Sequence, residues 1–194
     1  MKELVIIGAG GMGREVFDLA TQCEGYGRDY VVKGFIDDWA EALDSFEGYP
    51  PVIGSFSDYS VEENDVFSCS LGDIEKKVEV CERILADGGE FLTLIHPRAQ
   101  IGRNSKIGIG AIILFNAYIG ADSVIGDFAL VQIGSTIGHD VQIGRYSRID
   151  GGALCVGGTR IGNEVVIHTS AIINHKVVVE SRSTVGAGSL VIRK

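Results

Sequence analysis

The sequence predicts an α/β domain of the βαβ, half-Rossmann type, followed by a parallel β-helix built from hexapeptide repeats. Two observations lead to this prediction. Aliphatic residues or close substitutes recur at every sixth position from Ile101 to Val191. Ahead of them, the apolar run at residues 4–7 leads into a glycine-rich loop and then into an amphipathic pattern. We therefore divide the chain into a first domain at residues 1–96 and a second at residues 97–194.

The repeat keeps its register over fifteen complete hexapeptides. Its aliphatic positions are Ile101, Ile107, Ile113, Ile119, Ile125, Val131, Ile137, Ile143, Ile149, Cys155, Ile161, Ile167, Ile173, Val179, Val185 and Val191. Four residues after each of the first fifteen, the side chain is small or β-branched, from Ser105 to Ser189. The residue directly after the aliphatic position is glycine in eight of the fifteen units, where we expect a turn.

A period of six fits neither an amphipathic helix nor a simple alternating strand. It is typical of a parallel β-helix, in which each unit forms one flat side of a prism. Three sides make a coil of 18 residues, so residues 18 apart stack at a spacing of about 4.8 Å. The aliphatic residue then fills the interior, and the small residue shares that interior near a corner. The alternative is an ordinary sheet rich in isoleucine and valine, which would not be expected to obey both positional rules.

The charge of the chain is unevenly distributed. At 194 residues, the protein has a formal net charge of −9. Residues 1–100 contain 8 Lys and Arg against 20 Asp and Glu, a balance of −12, whereas residues 101–194 contain 9 against 6, a balance of +3. An acidic chain without basic runs argues against nucleic acid as a partner, and the positive balance of the repeats suits a ligand that carries phosphates.

The sequence favours a cytoplasmic protein. No apolar run approaches the roughly 20 residues that span a bilayer, and the N-terminus lacks the layout of a signal peptide. The four cysteines, Cys23, Cys69, Cys81 and Cys155, show no C-x-x-C spacing, and Cys155 occupies an aliphatic position of the repeat. These features predict reduced, buried thiols.

The first domain is predicted to alternate strands and helices. We expect strands at residues 4–7, 31–36, 66–71 and 91–95. We expect a helix from near Arg14 with Val16, Phe17 and Ala20 on one face, and a second at residues 75–86 with Val78, Cys81, Ile84 and Leu85 facing inward. Residues 39–64, which contain two consecutive prolines, are predicted to be a loop-rich connection.

The loop after the first strand matches the pattern G-x-G-x-x-G through Gly8, Gly10 and Gly13, and Gly11 adds a fourth glycine. Glycines leave room for a phosphate, which the free N–H groups at the start of a helix attract. Asp37, at the end of the second strand, is placed to bind a ribose hydroxyl. Because only one βαβ half fits in the domain, a mononucleotide group is favoured over NAD. The alternative is that the glycines merely allow a tight turn between strand and helix.

Three histidines lie in the repeat region, and none occupies an inward position. His139 is predicted to lie at an outward corner, where the adjacent Asp140 could hold its imidazole in one tautomer. His168 and His175 leave open a zinc site like that of the γ-type carbonic anhydrases. However, His139 and His175 are 36 residues or two coils apart, roughly 10 Å, so one zinc would require neighbouring subunits.

The chain as a whole resembles the bacterial sugar O- and N-acyltransferases of the NeuD/PglD type. The resemblance lies in Gly8-Ala9-Gly10-Gly11-Met12-Gly13-Arg14-Glu15-Val16, Ile36-Asp37-Asp38, Leu71-Gly72-Asp73, Leu94-Ile95-His96-Pro97, and Gly138-His139-Asp140 followed by Ile143-Gly144. It implies a left-handed β-helix, which the repeat pattern alone does not, and a homotrimer. It also implies acetyl-CoA as the acyl donor, a nucleotide-linked sugar as the acceptor, a role in bacterial surface glycan biosynthesis, and no metal.

The resemblance also implies roles for individual residues. His139 is the expected general base, Asp140 raises its basicity, and the Gly157 N–H stabilises the oxyanion. Consistent with this, Gly157 lies 18 residues, or one coil, beyond His139. The implied acetyl-CoA contacts are Arg148, Gly157, Thr169 and Ala187, and the implied nucleotide-sugar contacts are Gly10, Gly11, Met12, Asp37, Asp38 and Gly72. Attack on the thioester is expected to be direct, because Cys155 points inward and no serine–histidine pair offers a covalent intermediate.

The sequence departs from the family pattern at three places. Met12 stands where members that act on UDP-linked amino sugars have histidine, and Arg148 replaces a histidine near the acyl donor. The acceptor sugar and the choice between O- and N-acylation therefore stay open. The chain stops at Lys194 without the usual closing turn, which is compatible with either a truncated or a degenerate end.

A trimer would cover apolar side chains on the prism surface. Those predicted to be exposed are Ile112, Leu114, Phe115, Tyr118, Phe128 and Leu130. A trimer without catalysis is also conceivable. In that alternative, the protein is a scaffold or a nucleotide-sugar binder, and His139 and Asp140 are idle.

Overall fold

The computed structural model describes residues 1–192 and consists of two compact units, Met1–Leu94 and Ile95–Lys194. Arg193 and Lys194, which end the predicted second domain, lie outside the described residues. The longer elements are β1 (Lys2–Ile7), α1 (Gly11–Gln22), β2 (Tyr30–Ile36), β3 (Val52–Gly54), β4 (Asp65–Cys69) and α2 (Ile74–Ala86), and the two-residue strand β5 (Glu90–Phe91) ends the first sheet.

The remaining strands have two residues each. They are β6 (Leu94–Ile95), β7 (Gln100–Ile101), β8 (Lys106–Ile107), β9 (Ile112–Ile113), β10 (Tyr118–Ile119), β11 (Val124–Ile125), β12 (Leu130–Val131), β13 (Thr136–Ile137), β14 (Gln142–Ile143), β15 (Arg148–Ile149), β16 (Leu154–Cys155), β17 (Arg160–Ile161), β18 (Val166–Ile167), β19 (Ile172–Ile173), β20 (Val178–Val179), β21 (Thr184–Val185) and β22 (Leu190–Val191).

The first unit is built on a parallel sheet with the strand order β3-β2-β1-β4-β5. Strand β1 lies at the centre of this sheet, where the side chains of Leu4, Val5, Ile6 and Ile7 are all fully buried. A continuous apolar run of this kind is typical of a parallel strand that is covered on both faces. From β1 the chain continues to β2 and β3 on one side, and then to β4 and β5 on the other. The strand order therefore reverses at β1, and such a switch point opens a crevice at the carboxyl ends of the strands, where ligands bind.

Two strands of this unit differ from the prediction. The segment predicted to be a loop contains β3, which pairs with β2. Strand β3 has only three residues, all half-buried, so it is too short to be recognised from an apolar run. The single strand predicted at residues 91–95 is two strands: β5 pairs with β4, whereas β6 begins the β-helix beside β9. Strand β4 also ends at Cys69, two residues before the predicted end, and the Ser70 hydroxyl donates to the Ile7 carbonyl at 2.7 Å just beyond it.

The helices are shifted relative to the prediction. Helix α1 begins at Gly11, ahead of Arg14. The buried residues of α2 are Lys77, Val80, Cys81 and Ile84, which follow the helical spacing i, i+3, i+4, i+7. Val78 and Leu85 are only half-buried, so the expectation that both face the core was wrong. The stripe is rotated towards a lysine that sequence hydrophobicity would place outside.

The second unit is a parallel β-helix with three faces. Face 1 contains β6, β9, β12, β15, β18 and β21; face 2 contains β7, β10, β13, β16, β19 and β22; face 3 contains β8, β11, β14, β17 and β20. Residues 18 apart are paired, as Ile119 is with Ile137 and Ile137 with Cys155. The interior is one cluster of buried apolar side chains from the predicted aliphatic and small positions. The predicted fold class is thus confirmed.

The corners of the β-helix correct one detail of the prediction. In all fifteen hexapeptides, the residue that adopts a left-handed backbone is the third after the aliphatic position, such as Asp140 with φ 59°. The glycines directly after the aliphatic position instead allow adjacent coils to pack closely. A Cβ at Gly138 would lie 2.6 Å from the backbone nitrogen of Gly157.

The apolar surface also differs from the prediction. Of the six side chains expected to be exposed, Ile112, Leu114, Phe128 and Leu130 are buried within the monomer. Phe128, for example, stacks on Tyr146 in the next coil, with ring centroids 4.7 Å apart. The exposed apolar side chains of the β-helix are Ile101, Ile109, Tyr118, Val124, Ile133, Ile172, Val178, Leu190 and Ile192. Ile101 is among them, although predicted to be interior, because its strand β7 ends face 2 and has a neighbour on one side only.

Two further features bear on the sequence predictions. Neither α1 nor α2, with 12 and 13 residues, is long and apolar enough to cross a membrane. The four cysteines form no disulfide within residues 1–192; Cys69, Cys81 and Cys155 are buried as predicted, whereas Cys23 is only half-buried.

Candidate active site

The pair formed by His139 and Asp140 lies at the corner between faces 2 and 3. The chain turns there between β13 and β14, and both side chains are about two-thirds exposed, at 67% and 65%. Nδ1 of His139 lies 2.6 Å from Oδ2 of Asp140. The left-handed backbone of Asp140 is secured by its N–H, which donates to the Ala121 carbonyl at 3.0 Å. The carboxylate is therefore held against one nitrogen of the ring, and in the neutral imidazole that nitrogen carries the proton.

The other ring nitrogen of His139 faces the backbone of Gly157 in the next coil. A Cβ at Gly157 would lie 2.6 Å from Nε2 of His139, so no larger residue fits without moving the imidazole. With Nδ1 protonated, Nε2 has a free lone pair on the exposed side of the corner. Geometry and tautomer thus make Nε2 a proton acceptor.

The backbone N–H of Gly157 has no hydrogen-bond acceptor among residues 1–192. At the same position in some other hexapeptides, this N–H donates to a side-chain oxygen 18 residues further on: Ile109 donates to Asp127 at 3.0 Å, and Arg145 donates to Asn163 at 3.0 Å. The coil beyond Gly157 offers no such oxygen. An N–H without an acceptor therefore lies on the residue that the imidazole approaches, and such a donor is what an oxyanion requires.

Ser123 braces this corner and was missed by the sequence analysis. Its hydroxyl donates to the Gly138 carbonyl at 2.8 Å and accepts the Val141 N–H at 3.1 Å, so it ties both ends of the turn that carries His139. Ser147 repeats these contacts one coil and one side further on, with the Gly162 carbonyl and the Val165 N–H. The small positions of the repeat are thus hydrogen-bonding positions when they are serine, which the period alone does not reveal.

A second polar cluster lies at the corner between faces 1 and 2. The buried carboxylate of Asp150 is held by Arg148 Nε at 2.8 Å, His168 Nδ1 at 3.0 Å and Gln132 Nε2 at 3.2 Å. Gln132, Asp150 and His168 occupy equivalent positions in successive coils. The 18-residue register could therefore have predicted that these three residues stack. The spacing between histidines alone does not show it.

The three predicted acetyl-CoA contacts other than Gly157 lie near this second cluster. Arg148 is on face 1, and its guanidinium is engaged with Asp150. Thr169 and Ala187 are exposed in the turns that follow β18 and β21, at the corner between faces 1 and 2. A single chain therefore has these residues at one corner and His139 at the next.

In the first unit, the four loop glycines fall into two groups. Gly8 has φ +96°, and a Cβ at Gly13 would lie 2.0 Å from the Gly8 carbonyl oxygen, so these two are needed for the turn. A Cβ at Gly10 would meet nothing within 4 Å, and one at Gly11 would meet only Arg14 Nη2 at 4.0 Å. The geometry of the turn thus requires glycine at positions 8 and 13 but not at positions 10 and 11. The absence of side chains at Gly10 and Gly11 leaves open space above the loop.

Helix α1 starts in this open space without a cap. Its N-cap residue, Gly10, makes no side-chain hydrogen bond, and its first turn contains no acidic residue. Met12 lies half-buried in that turn. The start of the helix therefore has uncompensated N–H groups and a favourable field for an anion.

The predicted acidic residues have structural partners. Asp37 accepts the Ala9 N–H at 2.7 Å through Oδ2 and the Trp39 N–H at 2.9 Å through Oδ1, so it ties the glycine loop to the end of β2. Asp38 accepts the Phe56 N–H at 3.0 Å. Gly72 is exposed just after β4, at the same edge of the sheet. Each carboxylate oxygen keeps a second lone pair for a ligand.

The histidines of the β-helix do not form a metal cluster among residues 1–192. The one group of three candidate ligands there is Glu3, Glu62 and Asp65 in the first unit. Its centre is taken by Lys33, whose Nζ lies 2.7 Å from Glu62 and 2.8 Å from Asp65. These carboxylates therefore neutralise a lysine.

His96, the fourth histidine, is buried and structural. Its Nδ1 accepts the Arg98 N–H at 2.9 Å, and its ring packs edge-on against Phe115 with centroids 5.1 Å apart. Burial, and secondarily the charge of Arg98, lower the pKa of His96, which keeps this imidazole neutral at pH 7.

Comparison with known proteins agrees with these features. A family model described as the PglD N-terminal domain matches residues 3–84, and one described as the GMPPB C-terminal domain matches residues 90–187. No curated protein matches.

Solved structures match over nearly the whole chain. The acetyltransferase domain of PglB from Neisseria gonorrhoeae is 31% identical, with a TM-score of 0.89, and the match covers 99% of this chain and 92% of that one. The same domain was also solved in complex with acetyl coenzyme A. PerB from Caulobacter crescentus, solved with CoA and GDP-perosamine, is 24% identical and shares the fold with a TM-score of 0.87 over 100% of this chain and 90% of that one. This chain therefore belongs to the family of acetyl-CoA-dependent sugar acetyltransferases that join a PglD-type N-terminal domain to a left-handed β-helix.

Proposed function

We propose that this protein transfers the acetyl group of acetyl-CoA to an amino or hydroxyl group of a nucleotide-linked sugar, for bacterial surface glycans. The observation that carries the proposal is the geometry at His139: Nδ1 lies against Asp140, and Nε2 lies beside the unpaired N–H of Gly157. Support comes from the related PglB domain, which was solved with acetyl coenzyme A. PerB indicates that this fold accommodates CoA together with a nucleotide sugar.

In the proposed reaction, His139 Nε2 accepts the proton of the attacking amine or hydroxyl. The bond from the acceptor nitrogen or oxygen to the thioester carbon forms, and Asp140 stabilises the imidazolium. The Gly157 N–H donates to the oxyanion. When the tetrahedral intermediate collapses, the carbon–sulfur bond breaks, and the CoA thiolate takes the proton back from His139. Attack is direct, because Cys155 is fully buried and burial raises the pKa of its thiol to about 12.

The acyl donor site is proposed to need two subunits of a homotrimer. Face 2 lies between the corner with His139 and the corner with Thr169 and Ala187. If face 2 of each subunit turns towards a threefold axis, the first corner of one subunit meets the second corner of the next. Face 2 suits this position, since Tyr118, Ile172 and Leu190 project from it with 38–62% exposure.

The nucleotide part of the acceptor is proposed to bind the first domain, residues 1–96, at the carboxyl edge of the sheet. Gly10, Gly11 and Met12 offer the uncapped start of α1 to the phosphates, and Asp37, Asp38 and Gly72 line the neighbouring strand ends. Residues 97–194 then supply the transferase. Because acetyl-CoA and nucleotide sugars are made in the cytoplasm, we propose that compartment for the enzyme.

The test is an acceptor screen with the full chain. Acetyl-CoA is incubated with UDP- and GDP-linked amino sugars and with their hydroxyl counterparts, and both CoA thiol release and the mass of the sugar are measured. We expect one class of acceptor to gain an acetyl group while thiol is released in equal amount. Binding of a nucleotide sugar without acetylation of any acceptor would instead support the non-catalytic scaffold.

A further inference from the structure

The guanidinium of Arg14 lies beside the glycine loop and has no acidic partner among residues 1–192. It packs on the ring of Phe46, with Cζ 3.7 Å from the centroid. Five other cations of the first unit, exposed or half-buried, lie within 4 Å of carboxylates: Lys2, Arg28, Lys33, Lys76 and Arg83. In a domain with an excess of acidic residues, an arginine that stacks on an aromatic ring instead of a carboxylate keeps its N–H donors available to an anion.

The indole of Trp39 is exposed at the same edge of the sheet. Trp39 is the only tryptophan of the chain and is 64% exposed, which is unusual for the largest apolar side chain. Its backbone is fixed by the N–H donated to Asp37, the same carboxylate that accepts the Ala9 N–H. One acidic residue therefore sets the distance between the glycine loop and this aromatic ring.

We infer that Arg14 and Trp39 hold the nucleoside diphosphate of the acceptor, Arg14 through its phosphates and Trp39 by stacking on its base. This inference rests on the proposed function and adds the two side chains that recognise the nucleotide. A guanidinium forms paired, charge-assisted hydrogen bonds with phosphate oxygens. An indole stacks on any base, because every base has a π face.

The order of the groups along the sheet edge fits a nucleotide. The phosphates belong at the start of α1, where Gly10 and Gly11 leave space and Arg14 lies within the first turn. The ribose belongs at the end of β2, beside Asp37. The base then extends beyond β2, where Trp39 follows Asp37 by two residues. Arg14 and Trp39 thus flank the predicted ribose position.

The single tryptophan provides a direct test. Trp39 emission is recorded while the full chain is titrated with UDP, with GDP and with pyrophosphate. We expect UDP and GDP to quench the emission, and pyrophosphate to bind competitively without quenching, because it has no base. Binding of UDP or GDP with unchanged emission would contradict the stacking contact.

Variants separate the two contacts. Trp39→Ala should lower the affinity for UDP and GDP about 5- to 100-fold and leave pyrophosphate binding unchanged, measured by calorimetry. Arg14→Gln should lower the affinity for all three ligands, about 10- to 100-fold. Tyr26→Ala and Arg28→Gln are the matched controls, since both residues are exposed in the loop before β2, at the opposite edge of the sheet.

The outcomes distinguish this inference from the proposed function. If the wild-type protein acetylates a nucleotide sugar and both variants keep its acceptor KM, the inference is wrong and the proposed function stands. If the wild-type protein acetylates only sugars without a nucleotide and does not bind UDP or GDP, both the inference and the nucleotide part of the proposed function are wrong. Trp39 emission that changes with protein concentration, and not with nucleotide, would make Trp39 a subunit contact instead.

Discussion

At the scale of single residues, the candidate site depends on how closely two coils approach each other. The His139 imidazole and the Gly157 backbone are in contact because residues 18 apart stack, and because Gly157 has no side chain in the way. The same stacking leaves the Gly157 N–H available beside the ring. The proposed proton acceptor and the proposed oxyanion donor thus both depend on one inter-coil contact.

Gly157→Ala tests this contact. The new Cβ would lie 2.6 Å from His139 Nε2, so the imidazole must move off its position above the backbone. Because misplacement of a catalytic group by about 1 Å can cost about 100-fold, we expect kcat to fall on that order, with acetyl-CoA binding reduced less. Equal kcat in Gly157→Ala and wild type would show that the ring does not act from this position.

His96 gives the protein a pH-dependent stability. Burial lowers the pKa of His96 in the folded state below its unfolded value, so the neutral form is favoured by folding. This stabilisation is complete above the ordinary histidine pKa of about 6.5 and is lost as the pH falls through the lower folded value. We expect Tm to fall with acidification in that range, and the dependence to weaken in His96→Asn, whose side-chain oxygen can accept the Arg98 N–H. An unchanged dependence in His96→Asn would assign the effect to other groups.

The sequence predicted some of these residues and not others, for physical reasons. His139 and Asp140 were predictable because they are adjacent in sequence and outward in the repeat. The cluster of Asp150, Arg148 and His168 was missed, although the 18-residue register stacks Asp150 and His168. Its hydrogen bonds depend on rotamers, which the spacing does not determine. The roles of these residues in catalysis stay predictions.

At the scale of elements, the strand-to-helix connection from β1 to α1 combines a structural and a functional use of glycine. Gly8 and Gly13 pack against each other, whereas Gly10 and Gly11 face open space. The sequence motif does not distinguish these uses, because all four residues are glycine. The distinction comes from what a Cβ would meet at each position.

Substitutions in this loop should separate into two classes. A Cβ at Gly11 meets one side-chain atom at ordinary contact distance, so Gly11→Val should fold normally and raise the acceptor KM, with acetyl-CoA KM unchanged. Gly13→Ala is the contrast: its Cβ would lie 2.0 Å from a backbone oxygen, so it should lower Tm whether or not a ligand binds. Gly11→Val with an unchanged acceptor KM would place the acceptor elsewhere.

Short elements limited the prediction of the first unit. Strand β3 has three half-buried residues and no apolar run, so it is defined by its pairing with β2 alone. The division between β5 and β6 falls within a stretch of continuous strand-like residues, because each piece pairs with a different sheet. Long, periodic elements were predicted well, since each repeat supplies independent support for the same register.

At the scale of the whole molecule, the proposed trimer depends on face 2. The earlier expectation drew on Ile112 and Leu130, which are buried within the monomer and cannot form a subunit contact. The sequence could not show this, because a period of six assigns a residue to the outside of the prism without saying what covers it. It also could not give the handedness, which came from the family.

Light scattering tests the trimer. We expect the mass of three chains at micromolar concentration. Ile172→Glu should break the assembly, because it places a charge within face 2. Val178→Glu is the matched control: it places the same charge on face 3 and should leave the assembly intact. A monomeric wild-type protein, or dissociation by Val178→Glu alone, would contradict the arrangement around face 2.

The central claim is that His139 is the general base of an acetyl transfer, and its most direct test is the turnover of His139→Ala. With saturating acetyl-CoA and the acceptor identified by the screen, kcat should fall about 10²- to 10⁴-fold at pH 7. Tm should not change, because the side chain is 67% exposed and fills no core. Asp140→Asn should cost less, since it removes the charge and leaves the imidazole.

The same variant measured across pH should also identify the acceptor group. A hydroxyl acceptor needs the base throughout, so the His139→Ala defect should persist at high pH. An amine acceptor loses its proton unaided at high pH, so the defect should shrink. Turnover by His139→Ala close to that of the wild type at pH 7, with the true acceptor, would contradict the assignment of His139 as the base.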